Sequence, residues 1–117
     1  MNLLSISPQA RKDLEEIQAY IAGELENPTA ALNVVSRITR SIKNLKDMPG
    51  IGAPLSSKVP FETNYRTLVC GNYLVFYRYE GKTVFVDRIL YGRRDYLRIL
   101  FPELPKPDDT DKAGEVF

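Results

Sequence analysis

Arginine is the residue type in this 117-residue chain with the most scope for chemistry. Arg66, Arg78, Arg88, Arg93, Arg94 and Arg98 all lie in its second half. The first three recur on successive strand-like segments, and the last three crowd the turn that follows. A guanidinium presents its donors as a planar fork that matches phosphate or carboxylate, so these six are the candidate anion-binding residues. Each also has a plainer reading, as the partner of a nearby carboxylate such as Asp87 or Asp95. Tyr65, Tyr73, Tyr77, Tyr79, Tyr91 and Tyr96 are interleaved with them. Tyrosines so placed either stack on bases or pack the sheet.

Most other chemistry is excluded by residue type. The chain has no histidine and one cysteine, Cys70. Histidine-dependent triads, the usual zinc ligand sets and an internal disulfide are therefore ruled out. Cys70 closes a strand with no histidine to raise its thiolate fraction, which reads as a small buried residue rather than a nucleophile. Gly50-Ile51-Gly52 has neither the spacing nor the lysine of a phosphate-binding loop. Glu15 and Glu16 stand at solvent-facing helical positions, not as a carboxylate pair aimed at one bond. No cofactor and no metal are expected.

The net charge of +1 conceals an uneven distribution. Residues 1–65 carry seven basic and seven acidic side chains, residues 66–101 seven basic and three acidic, and residues 102–117 two basic and five acidic. A cationic block followed by an acidic tail reads as a surface for a polyanion or an acidic partner, masked in part by the tail. Ordinary surface charge is the alternative.

The elements that must position these residues follow from periodicity. Asn2 to Ile6 is a short apolar strand. Ser7-Pro8 and Asn27-Pro28 are two helix starts, each a capping side chain before a proline. Ala10, Leu14, Ile17, Ile21 and Leu25 mark the apolar stripe of the first helix. Ala31, Val34, Val35, Ile38, Ile42 and Leu45 mark that of the second, which Met48-Pro49-Gly50 stops. Residues 49 to 63, with three prolines and two glycines, read as a loop. The period then becomes two over Tyr65 to Cys70, Tyr73 to Tyr79 and Thr83 to Tyr91, an antiparallel meander. Alternation sets Arg78 beside Leu74 and Phe76, and Arg88 beside Val84, Val86 and Leu90. Arg93 to Leu100 has helical character over barely two turns, and Pro102, Pro105 and Pro107 prevent continuation.

Length and composition predict a single domain over residues 1–101 with a flexible, proline-rich acidic tail over 102–117. Hydrophobic residues at 44% and charged residues at 26% suit a folded chain. No apolar run approaches the roughly 18 residues of a membrane span, and Met1 to Ile6 reaches Pro8 and Arg11 too soon for a signal-peptide core. A cytoplasmic location is expected. The expected fold class is α+β, in the order β-α-α-β-β-β-α, with Leu14, Ile17, Ile21, Val35, Ile38, Ile42 and Leu45 buried against the sheet.

Three sets of residues, in this order, resemble the RelE/ParE superfamily of toxins from type II toxin–antitoxin modules. They are Ser7-Pro8-Gln9-Ala10 leading into Asp13-Leu14, then Tyr65-Arg66 with Gly71-Asn72-Tyr73-Leu74-Val75-Phe76-Tyr77-Arg78, and finally Arg88-Ile89-Leu90-Tyr91-Gly92-Arg93-Arg94-Asp95-Tyr96. The resemblance spans residues 3–101. It implies a small twisted antiparallel sheet, with the first strand paired into the meander, the helical hairpin on one face and a concave basic surface on the other. It further implies a cognate antitoxin as partner, with operator DNA reached only through that antitoxin.

The superfamily's branches differ in target. RelE-like members are metal-independent, ribosome-dependent nucleases that cut mRNA; ParE-like members block DNA gyrase. Carried over residue by residue, Arg66 and Arg94 match two basic positions of the nuclease branch and are its candidate catalytic residues here, with Arg88 and Tyr96 in reserve. Leu68, Leu74 and Leu100 stand where that branch carries polar groups, and Tyr91 where many members have histidine. Each lost donor at such a site costs on the order of a hundredfold or more in rate. The sequence therefore leans toward the gyrase-inhibitor branch, with the nuclease as one alternative and an inactive interaction module as another.

Overall fold

The computed structural model describes residues 2–103. Tail residues 104–117, on which most of the expected flexible segment falls, lie outside the described residues. β1 (Leu3–Ile6) leads into α1 (Pro8–Ala19), a π-helical turn (Tyr20–Glu24) and α2 (Pro28–Asp47). β2 (Ala53–Pro54), a single 3₁₀ turn, β3 (Arg66–Cys70), β4 (Tyr73–Glu80), β5 (Thr83–Tyr91) and α3 (Tyr96–Leu100) complete the chain.

Both helix starts form as their residues dictate. Ser7 Oγ accepts the Ala10 N–H at 2.9 Å, and Asn27 Oδ1 accepts that of Ala30 at 3.0 Å. The first helix does not keep an α geometry as far as Leu25. It widens into the π turn, and Glu26 takes a left-handed φ of 51° to make the corner. Ile21 stays buried through this change while Leu25 is released to solvent.

The sheet order is β1-β5-β4-β3-β2. β2 to β5 are antiparallel as the meander predicts, but β1 lies parallel to β5, so the sheet is mixed. The intervening elements return the chain to the same end of the sheet, which makes this pairing parallel. β2 is an addition: within the expected loop, Ala53 and Pro54 pair with Thr67 and Arg66.

One core lies between the helical hairpin and the sheet. It contains Ala10, Ile38, Ile42, Leu45, Val75, Tyr77, Val84, Val86 and Ile89, with Leu14 and Ile17 at its margin. Of the predicted stripe, Ile21, Ile38, Ile42 and Leu45 are buried, whereas Leu14, Ile17 and Val35 are half-buried. The far face of the sheet is not an open basic surface. Leu55, Phe76 and Leu90 are buried there beneath Tyr96, Ile99, Leu100 and Phe101 of α3 and its end.

A β-bulge separates the two faces of β5. Phe76 pairs with Arg88 but Tyr77 pairs with Val86, which leaves Asp87 as the extra residue. The bulge reverses the alternation, so Val84 and Val86 join Ile89 in the first core while Leu90 joins the second. Arg88 therefore shares a face with Leu90 but not with Val84 and Val86, as unbroken alternation would have it.

Candidate functional site

The six arginines divide into those already engaged and those left open. Arg88 is held by Asp13: Nε donates to Oδ2 at 2.8 Å and Nη2 to Oδ1 at 2.9 Å, while the Ile89 N–H also donates to Oδ2 at 2.9 Å. β1 pairs with β5 only as far as Val86. Beyond that point α1 runs along the bare edge of the strand, and Asp13 satisfies the edge N–H that a strand would otherwise have taken. The hydrogen bond that Arg88 donates to Asp13 holds the Arg88 pKa above its ordinary value. Asp13 is only 3% exposed. It lies on the inward stripe of α1 with Ala10, Leu14 and Ile17, and a carboxylate on that stripe is the signal by which the sequence could have marked it as the partner.

Arg78 is engaged on the far face. Nε donates to Asp87 Oδ2 at 2.8 Å, Nη1 bonds Glu80, and the guanidinium lies 4.8 Å from the centre of the Phe85 ring. Its pKa is raised, chiefly by the bond to Asp87. Tyr65 joins this cluster. Burial, and then the Asp87 carboxylate, push its hydroxyl up to about 12, so it stays protonated and does not serve as a base near neutral pH.

Arg66 lies opposite Tyr77 on the hairpin side of the sheet. Its Nε and Nη2 donate to the Gly52 carbonyl at 3.1 and 2.6 Å, and Nη2 also reaches that of Gly50 at 3.2 Å. Tyr77 secures the same loop by donating to the Pro49 carbonyl at 2.7 Å and accepting the Gly52 N–H at 2.9 Å. A Cβ on Gly52 would come within 2.6 Å of the Thr67 carbonyl oxygen and of the Tyr77 hydroxyl, so only glycine fits without a shift.

The remaining arginines lie at the opposite end of the meander. Tyr91 is opposite Tyr73, four residues along β4 from Tyr77. That is about 13 Å of strand between the Arg66 row and the start of the turn that carries Arg93 and Arg94. The turn is closed by Gly92 donating to the Asn72 carbonyl at 2.8 Å and Arg94 N–H to that of Tyr91 at 3.0 Å. Arg93 and Arg94 are exposed and have no carboxylate within 4 Å among the described residues. Arg98 has an exposed partner in Asp95 at 3.0 Å, and Tyr96 packs on Phe76 with ring centres 5.1 Å apart. Thus Arg66 and Arg94 are not brought together, and Arg78 and Arg88 are committed to internal carboxylates.

Arg94 stands at the lip of a groove of about 670 Å³ between the helical corner and the strand ends. Its walls include Ile17, Tyr20, Ile21, Val34, Tyr73 and Tyr91, which makes it chiefly apolar. The Tyr73 and Tyr91 rings meet edge to face at 5.8 Å, and burial raises the Tyr73 pKa. The π turn supplies Tyr20 and Ile21 to the groove. Cys70 lies buried beside it, and desolvation raises its thiol pKa, as suits a packing residue. Among the described residues no three acidic or cysteine side chains are grouped to hold a metal, and no helix is long and apolar enough to cross a membrane.

A helical hairpin on a small mixed sheet, with a cationic turn after the last strand, agrees with the RelE/ParE resemblance of the sequence. The sequence profile described as "ParE toxin of type II toxin-antitoxin system, parDE" matches residues 4–96, and the chain belongs to that family. Among solved structures, a chain of the chromosomal ParDE toxin–antitoxin system from P. aeruginosa is similar at 29% identity and a TM-score of 0.65, over 78% of this chain and 96% of that one. YafQ from E. coli strain BL21(DE3) is similar at 16% identity and a TM-score of 0.46, over 86% of this chain and 99% of that one. No curated protein sequence matches the chain.

Proposed function

We propose that this toxin arrests growth by binding and inhibiting DNA gyrase, and that a cognate antitoxin holds it inactive. The observation that carries the reading is the division among the cations. A nuclease site needs several cations converging on one phosphate. Here Arg78 and Arg88 are committed to carboxylates, and Arg66 is clamped to backbone carbonyls at the far end of the meander from Arg94. The three leucines at the other nuclease positions are packing residues: Leu68 borders the hairpin core, and Leu74 and Leu100 border the second cluster. Of the six candidates, Arg93 and Arg94 beside α3 are left without a carboxylate among the described residues, a small cationic surface suited to a protein target.

The groove supports the antitoxin half of the reading. An apolar trough with an exposed arginine at its lip fits an amphipathic segment that places a carboxylate against Arg94. A partner seated there covers one of the two arginines of the turn, so binding and neutralisation coincide. The likeness to a ParDE chain at 29% identity agrees with such a partner.

The test is brief induction of the toxin with mapping of mRNA ends, beside a supercoiling assay on purified gyrase. Loss of supercoiling without discrete mRNA cuts is the expected result. Cuts in translated mRNA with normal supercoiling would establish the nuclease instead, and neither signal would point to an inert interaction module.

A further inference from the structure

The groove beside Arg94 continues past Tyr73. A smaller hollow of about 100 Å³ shares Val34, Asn72 and Tyr73 with it and has Arg37 on its wall. Arg37 Nη1 lies 4.0 Å from where a Cβ on Gly71 would stand, just past the end of β3, whereas Arg94 follows β5. Two strand spacings, about 10 Å, separate β5 from β3. The trough therefore runs between two exposed arginines, neither with a carboxylate within 4 Å among the described residues. Its acidic wall residues are Asp13, which is bound to Arg88, and Glu16. Of its apolar walls, Tyr20, Leu25 and Tyr91 stay 54%, 56% and 39% exposed.

Apolar surface flanked by cations fits a segment whose apolar side chains stand beside carboxylates. This chain carries one. Asp111 and Glu115 are four residues apart in the acidic tail, with Val116-Phe117 directly after them. Four residues of extended chain span about 13 Å, close to the separation of the two strands. Lys112, between them, is opposite in sign to Glu16. The tail also has the reach. α3 leads to Phe101, whose ring meets Phe61 and Tyr65 edge to face. That is the Arg66 end of the meander, about 13 Å of strand from the groove. The eight residues from Glu103 to Asp111 extend about 26 Å, which covers that length and the roughly 10 Å between packed layers. A tether this short presents its segment at about millimolar effective concentration, so even a weak contact is populated.

We propose that residues 111–117 of this chain dock in the trough, with Asp111 on Arg37, Glu115 on Arg94, and Val116 and Phe117 against the tyrosines. An antitoxin seated there must first displace them. The contact itself does not depend on the target or the partner of the toxin; only the competition rests on the antitoxin reading above.

The test is a nitroxide label on the full-chain variant Ala113→Cys, read as loss of amide NMR signals at about 100 mM salt. Cys70 is buried, and the wild-type chain treated with the same reagent is the control. The signals of Asn72, Tyr73 and Gly92 should be lost. Those of Glu80 to Lys82, about 23 Å along the sheet from Tyr73, should persist. Adding Asp111→Asn/Glu115→Gln to the labelled chain should restore the groove signals, as should about 1 M salt, where charges are screened beyond about 3 Å. Loss confined to Phe61 and Tyr65, beside the tail's point of attachment, would overturn the proposal. So would groove signals still lost after the two carboxylates are neutralised. Loss on an unlabelled chain mixed with the labelled one would also overturn it, by placing a second copy's tail in the trough. None of these outcomes bears on gyrase inhibition, so failure here leaves that reading to its own assay.

Discussion

The seam between α1 and β5 and the turn after β5 use the same residue type for opposite ends. At the seam, Arg88 is four-fifths hidden and its fork is filled by a carboxylate that also caps a strand edge. At the turn, Arg93 and Arg94 face solvent with no carboxylate within 4 Å among the described residues. Five residues of sequence separate the two environments. A guanidinium enclosed by its partner contributes to the fold, because removing either member leaves an uncompensated charge. An open one contributes almost nothing to stability, and its donors remain available to another molecule. Arginine content alone does not define a binding surface; the proposed surface is the part of these six that the fold leaves without a carboxylate among the described residues.

The largest expected effect breaks the closed side of this comparison. Asp13→Ala strands the Arg88 guanidinium and unsatisfies the Ile89 N–H, and should cost about 3 to 5 kcal/mol. For a domain of this size that is a fall in melting temperature of about 15 °C or more, measurable by thermal circular dichroism. A melt at the wild-type temperature would show that the seam is not structural.

A smaller loss is expected at the loop that Tyr77 and Arg66 secure. Tyr77→Phe removes a hydroxyl that bonds both Pro49 and the buried Gly52 N–H, and should destabilise by about 2 kcal/mol in denaturant unfolding. If it unfolds with the wild type, the loop is held by Arg66 alone. Tyr65 sharpens the description of the far-face cluster through pH. Its hydroxyl is raised from 10 to about 12 in the folded chain, so the folded state keeps the proton longer than the unfolded one. The associated stability is complete below pH 10 and lost as pH rises toward 12. Phenolate absorbance should show a late-titrating tyrosine that Tyr65→Phe deletes; persistence of that step in the variant would assign it elsewhere.

Local chemistry was legible in the sequence and long-range pairing was not. Ser7 and Asn27 bond within three residues of themselves, and both caps form. The period-two segments become β3, β4 and β5 because their cross-strand neighbours are joined by two-residue turns at Gly71-Asn72 and Gly81-Lys82. The parallel contact of β1 with β5, by contrast, joins residues about eighty apart, and nothing in either strand marks its partner. The bulge at Asp87 has no glycine to announce it, so simple alternation misplaces Arg88 relative to Val84 and Val86. For the candidate site, the sequence named all six arginines but not their division. Arg78 does pair with Asp87, as the plainer reading held, whereas the partner of Arg88 lies 75 residues away on another element.

The central claim proposed is that the open arginines of the turn, Arg93 and Arg94, act on the target while Arg78 and Arg88 hold the fold. Its most direct test is gyrase supercoiling with Arg93→Gln/Arg94→Gln beside the wild-type chain. Neither residue has a carboxylate partner among the described residues, so the variant should melt within about 0.5 kcal/mol of wild type. Loss of charge-assisted contacts should nevertheless weaken inhibition about tenfold or more. Inhibition at wild-type strength by this well-folded variant would contradict the account.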